Sequence, residues 1–102
     1  MEALLDHEIF SRYLNTTFRI SLSDSNIIEA ELNTVSDLQL SPQQERFAVV
    51  FRGPREPLLN QGSYRFEHDE MGEFILFIVP LRQDDNGTFY EACFNRMRKR
   101  DQ

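Results

Sequence analysis

Several residue types that define whole classes of protein are scarce in this sequence. Cysteine occurs once, at Cys93, so no disulfide can form within the chain. The two histidines, His7 and His68, are too few for a multi-histidine zinc centre in one chain. The longest apolar run, FILFIVPL at residues 74–81, contains a proline and falls far short of the roughly 20 residues of a membrane span. Disulfide scaffolds, histidine zinc centres and transmembrane helices are therefore excluded for this segment.

Basic residues are also scarce outside the C-terminus. Residues 96–100 hold four of the eleven basic residues, and Asp101 is one of the seventeen acidic ones, so residues 1–95 keep seven basic and sixteen acidic groups. A net charge of −9 repels phosphate backbones, so we expect no nucleic-acid partner. The four basic residues at the C-terminus are expected to lie in a frayed segment and to serve solubility. The first residues, MEALLDHEIF, are acidic where a signal peptide is basic, which predicts a cytoplasmic location without membrane contact.

Apolar and aromatic side chains are plentiful for so short a chain. Hydrophobic residues make up 40% of the 102 positions, and nine residues are phenylalanine. This composition favours a folded domain with one modest core over disorder. We predict a single β-rich domain over residues 1–96 and a basic C-terminal tail over residues 97–102.

The first periodic pattern predicts a short helix over residues 7–14. Asp6 can cap its N-terminus. The apolar residues of its one face are Ile9, Phe10, Tyr13 and Leu14. Asn15 follows them, and asparagine tolerates the left-handed conformation that ends helices.

From residue 17 the apolar period changes to two, which predicts six strands. They cover residues 17–22, 27–33, 46–52, 63–68, 73–82 and 88–95. Their predicted core residues are Phe18, Ile20, Phe47, Val49, Phe51, Phe66, Leu76, Ile78 and Phe94. The Asn86-Gly87 pair is typical of a hairpin turn. The fold class is therefore mainly β (α+β): a six-stranded antiparallel small barrel or β-roll, with one N-terminal helix that plugs an end or covers a face.

Two of these strands depart from simple alternation. The phase slips at Thr34 and Val35, and a bulge there would let Val35, Leu38 and Leu40 continue the core. The strand at residues 73–82 is apolar at both parities. Such a strand is expected at the centre of a sheet covered on both sides, or in a barrel whose outer face is covered.

The connection GPREPLLNQG at residues 53–62 is the most distinctive loop. Its two prolines stiffen it into an extended path. Arg55 and Glu56 are interpreted as a solvated pair and not as an acid/base dyad. Leu58 and Leu59, in an otherwise polar loop, either cap the open end of the barrel or meet a partner. Arg55, Glu56, Leu58 and Leu59 are therefore the candidate partner-binding residues.

Catalytic and metal-binding constellations find little support. Cys93 and His68 fall two strand spacings apart, about 10 Å, beyond the roughly 3 Å that a nucleophile and its base require. Cys93 is expected to be buried or half-buried. The two oxygen-rich turns flanking the strand at residues 73–82 lie at opposite ends and cannot share an ion. We expect no catalytic residue, metal or cofactor; a hydrolase-like site would have to use Tyr64, His68 and Glu70.

Four phrases carry a resemblance over residues 6–96. They are F-x-x-Y-L-N-T-T-F-R at residues 10–19, FRGPREPLLNQGSYRFEH at 51–68, G-x-F-x-L-F-I-V-P at 72–80 and YEACFN at 90–95. The chain resembles a family of small bacterial domains of unknown function, most specifically in RGP-x-x-P-L-L-x-Q-G-x-Y-x-x-E-H. Members often have glycine in place of Asn15. The resemblance implies no assigned activity. It also implies that the gene lies near those of phage-tail-collar-like proteins, as genes of this family often do.

Three functions stay open at this point. The leading one is a non-enzymatic protein-interaction or assembly module, an adaptor or chaperone in a phage-tail-like or secreted-fibre system. Its partner would be another protein or the chain itself as a homo-oligomer. The alternatives are a β-barrel that binds a small molecule or peptide at its mouth, and a hydrolase-like enzyme. A deep apolar cavity would favour the binder, whereas a filled barrel with an exposed apolar patch would favour the interaction module.

Overall fold

The start of the chain folds as its capping pattern predicts. The structure, a computed structural model, describes residues 5–23 and 25–97. Helix α1 spans His7–Arg12, and the Asp6 carboxylate caps it by accepting a hydrogen bond from the backbone N–H of Ile9 at 2.9 Å. The helix ends two residues before its predicted end, and a turn over residues 13–15 follows, in which Asn15 has the expected left-handed conformation, with a φ of 70°.

Strands account for most of the remaining chain. They are β1 Thr17–Ser23, β2 Asn26–Val35, β3 Gln39–Leu40, β4 Gln44–Gly53, β5 Gly62–His68, β6 Gly72–Asp84 and β7 Gly87–Met97. Their order is β2-β1-β5-β6-β7-β4-β3, and β2 also pairs with β4. This last pairing closes six antiparallel strands into a barrel, with the two-residue β3 added beside β4. The predicted fold class is confirmed.

The wall of the barrel contains the predicted bulge, but the core does not continue beyond it. The register between β2 and β4 shifts between Leu32 and Thr34. Val35 packs against the core, whereas Leu38 and Leu40 are 37% and 56% exposed. Their predicted burial is wrong, because β3 pairs only along the start of β4, beyond the stretch of β4 that pairs with β2.

One aromatic-rich cluster fills the barrel interior. Its strand residues include Phe18, Ile20, Ala30, Leu32, Phe47, Val49, Phe51, Phe66, Phe74, Leu76, Ile78, Tyr90 and Ala92. Phe47 stacks on Phe94 with ring centroids 4.7 Å apart, and Phe18 meets Phe51 edge-on at 5.2 Å. All predicted core residues are buried except Phe94, which is half-buried and packs against the cluster. The interior is therefore packed with side chains.

Both ends of the barrel are closed. At one end α1 inserts Phe10, which is fully buried and contacts the rings of Phe94 at 5.4 Å and of Phe47 and Phe74 at 6.2 Å each. At the other end, the loop between β4 and β5 buries Leu59 in the same core. Of the two positions predicted for the helix, plugging an end is the one observed.

The hairpin predicted from Asn86-Gly87 is present between β6 and β7, but its two turn residues are Asp85 and Asn86, and Gly87 begins β7. Asp84 and Gly87 are the last paired residues, and the Asp84 carboxylate accepts a hydrogen bond from the backbone N–H of Asn86 at 2.8 Å. Gly87 has a φ of +144°, and a Cβ there would collide with the carbonyl oxygen of Gly53. This corner requires glycine for its backbone conformation and for the close approach of β4.

The outer face of β6 is exposed, contrary to the sequence prediction. Phe74, Leu76 and Ile78 are buried in the core, but Ile75 and Phe77 are 67% and 54% exposed. The predicted cover is missing because α1, the one helix among the described residues, closes an end of the barrel instead of lying on its wall.

The two halves of β6 have different neighbours. Residues 72–78 pair with β5, whereas residues 79–84 pair with residues 87–91 of β7. Beyond that point β7 continues along β4 to Met97. Toward the end that holds α1, β6 and β7 are therefore not paired, and Phe10 packs against Phe74 of β6 and Phe94 of β7. Among the described residues, the first half of β6 has backbone pairing on its β5 side alone.

Most of the predicted basic tail lies outside the described residues, which end at Met97. Arg96, counted with the tail charges above, belongs to β7. Its guanidinium pairs with Glu45 at 3.2 Å and donates to the carbonyl oxygen of Leu5 at 2.6 Å. The expectation of a frayed terminus is wrong for Arg96, because these contacts fix its side chain against the start of the chain.

Candidate functional site

The β4–β5 loop closes its end of the barrel with one of its two leucines. Leu59 is only 6% exposed, and its backbone N–H donates to the hydroxyl of buried Tyr90 at 3.0 Å. Leu58 is 58% exposed. Of the two roles predicted for the pair, Leu59 therefore has the capping position, whereas Leu58 is exposed to solvent.

The other two predicted partner-binding residues, Arg55 and Glu56, are exposed. The backbone beneath them is anchored, because the amide of Gln83 donates to the carbonyl oxygen of Arg55 at 2.7 Å and to the hydroxyl of Thr88 at 2.8 Å. Arg55, Glu56 and Leu58 thus form an exposed surface on a fixed loop. Partner binding at this surface stays a prediction.

A polar cleft of about 520 Å³ lies at the other end, where α1 meets the β5–β6 turn. It is lined by Tyr13, Thr16, Thr17, Arg19, Glu29, His68, Asp69 and Glu70. Two members of the hydrolase-like trio, His68 and Glu70, are brought together here. Tyr64 is not, since its hydroxyl donates to the carbonyl oxygen of Asn60 at 2.8 Å. Tyr13 lines the cleft instead, and the sequence marked it only as part of the apolar helix face.

Both ring nitrogens of His68 are engaged inside this cleft. Nδ1 accepts hydrogen bonds from the backbone N–H groups of Glu70 at 3.1 Å and Met71 at 3.2 Å. The Thr16 hydroxyl donates to the carbonyl oxygen of Tyr13 at 2.6 Å, so its oxygen accepts from His68 Nε2–H at 3.0 Å. The ring is therefore neutral, and burial lowers the pKa of His68. Neither nitrogen is left to take a proton from a substrate.

Carboxylates dominate the rim of the cleft. Arg19 donates to Asp69 at 2.9 Å and to Glu67 at 3.3 Å, and these bonds raise its pKa. The pKa of Tyr13 is raised as well, first by its hydrogen bond with Glu70 and then by burial. Because Arg19 is already paired with two carboxylates, this cleft offers little attraction to an anionic ligand.

Cys93 is exposed on the outer face of β7, across from Ala48 of β4. Its predicted burial is wrong, because nothing among the described residues covers the outward positions of β7 here. His68 is buried on the inner side, so the two side chains are not brought together. Partial burial of the sulfur, followed by the charge of Glu91, raises the pKa of the Cys93 thiol, which lowers its thiolate fraction at neutral pH.

Two kinds of feature are absent from the part of the chain that the structure describes. No group of three or more His, Cys, Asp and Glu residues there could hold a metal ion. None of its helices is long and apolar enough to cross a bilayer.

The exposed pair Ile75 and Phe77, which we call the β6 stripe, is the site that the sequence reading missed. On β5, Arg65 pairs with Ile75, and Ser63 pairs with Phe77. An ion pair between Arg65 and Glu73, at 3.6 Å, borders the stripe. The sequence signal for this site is that apolar residues occupy both alternating sets of positions along β6, a pattern that also predicts burial on both faces. An exposed apolar patch rimmed by polar residues is typical of contact sites when it exceeds roughly a few hundred Å², and Ile75 and Phe77 would form part of such a patch.

Comparison with known proteins places the chain in a family without giving it an activity. Searches of the curated proteins and of the solved structures find no match. One family model, described as "Domain of unknown function (DUF6916)", matches residues 5–94. That span holds α1, the β4–β5 loop, the polar cleft and the β6 stripe. Because the match covers most of the chain, the protein belongs to the DUF6916 family, in agreement with the resemblance to a family of small domains of unknown function.

Proposed function

We propose that this domain is a non-enzymatic protein-interaction or assembly module, with the β6 stripe as its main contact surface. The observation that carries the proposal is the exposure of Ile75 and Phe77, at 67% and 54%, side by side on one strand. Burial of apolar surface stabilises by roughly 25 cal/mol per Å². A partner that covers the stripe would gain this free energy, which the monomer leaves unused.

The filled interior supports an external contact surface over an internal ligand site. Phe10 closes one end of the barrel and Leu59 the other, and both belong to the single core cluster. A drug-sized ligand needs a concave and mostly apolar site of about 300–1,000 Å³. The volume that such a ligand would occupy within this barrel is taken by core side chains.

The β4–β5 loop offers a second contact region at one end of the barrel. Arg55, Glu56 and Leu58 are exposed on a backbone that Gln83 anchors. A fixed backbone lowers the entropy lost on binding, which supports affinity. We assign these three side chains to the edge of the contact surface, while Leu59 acts through the packing of the loop.

We place the module in the cytoplasm of a bacterial cell, as an adaptor or chaperone in a phage-tail-like or secreted-fibre assembly. The support for this setting is the sequence resemblance and the gene neighbourhood that it implies. The balance of −9 over residues 1–95 favours a protein partner over nucleic acid.

A second candidate function is the binding of a small cationic ligand or peptide in the polar cleft. Its volume of about 520 Å³ suits such a ligand, and its rim carries Glu29, Asp69 and Glu70. A hydrolase-like role has less support, because His68 has no unoccupied ring nitrogen. Calorimetric titration with short lysine-containing peptides tests this candidate, and loss of the binding heat in Glu70→Gln would locate it in the cleft.

Site-specific photo-crosslinking in the native host tests the main proposal. A photoreactive phenylalanine analogue is placed at Phe77, and as a control at Ile27, an exposed position on β2, which is not adjacent to β6. We expect a discrete adduct from position 77, which disappears when Ile75 is also changed to threonine. An adduct pattern equal at positions 77 and 27, or no adduct from either, would remove the β6 stripe as a contact surface.

A further inference from the structure

We infer that a second copy of this chain binds at the β6 stripe, by antiparallel pairing of residues 72–78 of the two copies about a two-fold axis at Ile75. This inference rests on the proposed interaction function and names its partner. Strand pairing about this axis would join two six-stranded barrels through their β6 strands and bring the two β6 stripes together on one outer surface.

The backbone of β6 is the first reason for a strand as the partner. Residues 72–78 pair with β5, while β7 joins β6 only from Val79 onward. Among the described residues, no strand is therefore paired with the opposite edge of this half-strand. An unpaired and apolar strand edge is a template for another strand, which binds through main-chain hydrogen bonds.

The size of the exposed apolar surface argues against packing of two flat faces. A large apolar side chain offers about 200 Å² in all, so the exposed fractions of Ile75 and Phe77 leave on the order of 100 Å² each. A stable interface of standard size buries about 800 Å² on each partner. The stripe alone falls well short, and a partner must add backbone hydrogen bonds and the flanking residues of a paired strand.

The bounds of the unpaired half-strand set the register. Two copies of a seven-residue segment use all seven residues in a two-fold antiparallel pair only when the middle residue, Ile75, faces its own copy. Phe77 then lies across from the copy's Glu73 and diagonal to its Ile75. Diagonal neighbours of this kind are within reach of aromatic side chains, so both stripes form one apolar row.

The charges near the axis are compatible with self-pairing, although the whole domain is acidic. Glu73 is paired with Arg65 of its own chain at 3.6 Å, which makes the border of the stripe locally neutral. In the proposed register the two copies of Glu73 stand four residues apart, about 14 Å, which exceeds the Debye length of about 8 Å at physiological ionic strength. No like charges face each other across the join.

Disulfide trapping tests this register directly. In a Cys93→Ser background, which removes the native thiol, Ile75→Cys should crosslink to its copy under mild oxidation. Opposed strand residues have Cα atoms about 4.5–5.5 Å apart, within the range of a disulfide. Phe77→Cys and Ser63→Cys are the controls, because their copies would be about 14 Å apart or farther. Equal crosslinking at all three positions, or none at position 75, would overturn the proposed pairing.

Mass and hydrogen exchange complete the test on the full chain. Wild type should show twice the monomer mass by sedimentation at high concentration, and Phe77→Thr should lose this dimer with an unchanged melting temperature. Ile27→Thr is the matched control, since Ile27 is an equally exposed isoleucine on β2, at 52%. Every second amide in residues 72–78 should gain protection on dimerisation. A monomer at all concentrations would overturn the self-pairing; if photo-crosslinking at Phe77 still gave adducts with another protein, the proposed interaction function would stand.

Discussion

Two buried polar residues tie the closing segments to the barrel wall. At one end, the His68 ring joins the residues after α1, through Thr16, to the β5–β6 turn. At the other end, the Thr88 hydroxyl lies between Gln83 and the carbonyl oxygen of Arg55. Among the described residues, no buried side-chain nitrogen or oxygen lacks a hydrogen-bond partner. These groups therefore hold the closing segments in place without the cost of unsatisfied burial.

The His68 network predicts a loss of stability in mild acid. Burial lowers the folded-state pKa of His68 below the unfolded value of about 6.5, so the unfolded chain binds the proton more readily. The contribution of neutral His68 to the free energy of unfolding is complete above a pH of about 6.5. It is lost as the pH falls from there through the lower folded-state pKa. Facing groups are Tyr13, Arg19, Asp69 and Glu70; Arg19 lowers the pKa further, and the two carboxylates oppose the shift.

Urea unfolding as a function of pH measures this effect. His68→Asn keeps an acceptor near the position of Nδ1 but cannot titrate, so its stability should depend less on pH across this range. His7→Gln is the matched control, because it removes the other histidine of the chain. His7 lies at the start of α1 and forms a hydrogen bond with the carbonyl oxygen of Ser36. If His68→Asn and wild type lost stability in parallel, His68 would not be the group responsible.

The same substitution at the two loop leucines is expected to change the free energy of unfolding by very different amounts. Leu59→Ser should lower the free energy of unfolding by about 2–5 kcal/mol, because it removes a buried side chain and leaves a cavity. Leu58→Ser should change it by no more than about 0.5 kcal/mol, as expected for an exposed residue. Thermal and urea unfolding of the pair check this. Equal losses would mean that Leu58 also packs into the barrel end.

At the scale of elements, α1 is stabilised by what its side chains reach and not by its length. A helix of six residues is too short to be stable alone. It contributes through Phe10, which contacts aromatic rings on three different strands. The helix therefore depends on the barrel, and the barrel depends on Phe10 to fill its end.

Truncation of Phe10 tests this dependence. Phe10→Ala should destabilise the protein by about 3–5 kcal/mol, a large part of the roughly 5–15 kcal/mol typical of a domain. Leu14→Ala, at a position 39% exposed, is the control and should cost far less. Guanidinium unfolding monitored by circular dichroism compares the two. A small effect at Phe10 would mean that the ends of the barrel tolerate a cavity.

At the scale of the whole molecule, the two closures are physically separate. Asp6 caps α1 at one end, and Leu59 lies beside Tyr90 at the other. They share no direct contact, so changes at the two ends should combine additively if the barrel unfolds as one cooperative unit.

A double-mutant cycle of Asp6→Ala and Leu59→Ala measures this independence. The first should cost about 1 kcal/mol through the lost helix cap, and the second about 2–5 kcal/mol. Their sum should match the double variant within about 0.5 kcal/mol. A larger coupling energy from urea unfolding would mean that the barrel transmits strain between its ends.

Local rules predicted most of the fold correctly. Alternation of apolar residues placed Phe47, Val49 and Phe51 on one face of β4, because side chains of a strand point alternately to its two sides. Asp6 marked the start of α1, and Asn15 marked the end of the turn that follows it, through backbone chemistry that acts within a few residues. The number of strands and their short connections left a closed barrel and a β-roll open, because the pairing of β2 with β4 that decides between them could not be read from either strand alone.

Tertiary structure alone decided which outward positions are covered. Alternation separates the two faces of a strand, but it does not say what packs against the second face, since that depends on where distant segments lie. Leu38 and Leu40 are exposed because β3 extends past the β2–β4 pairing, and Cys93 is exposed because the described chain leaves that face of β7 bare. Ile75 and Phe77 form an exposed stripe because α1 fills an end of the barrel and not its side.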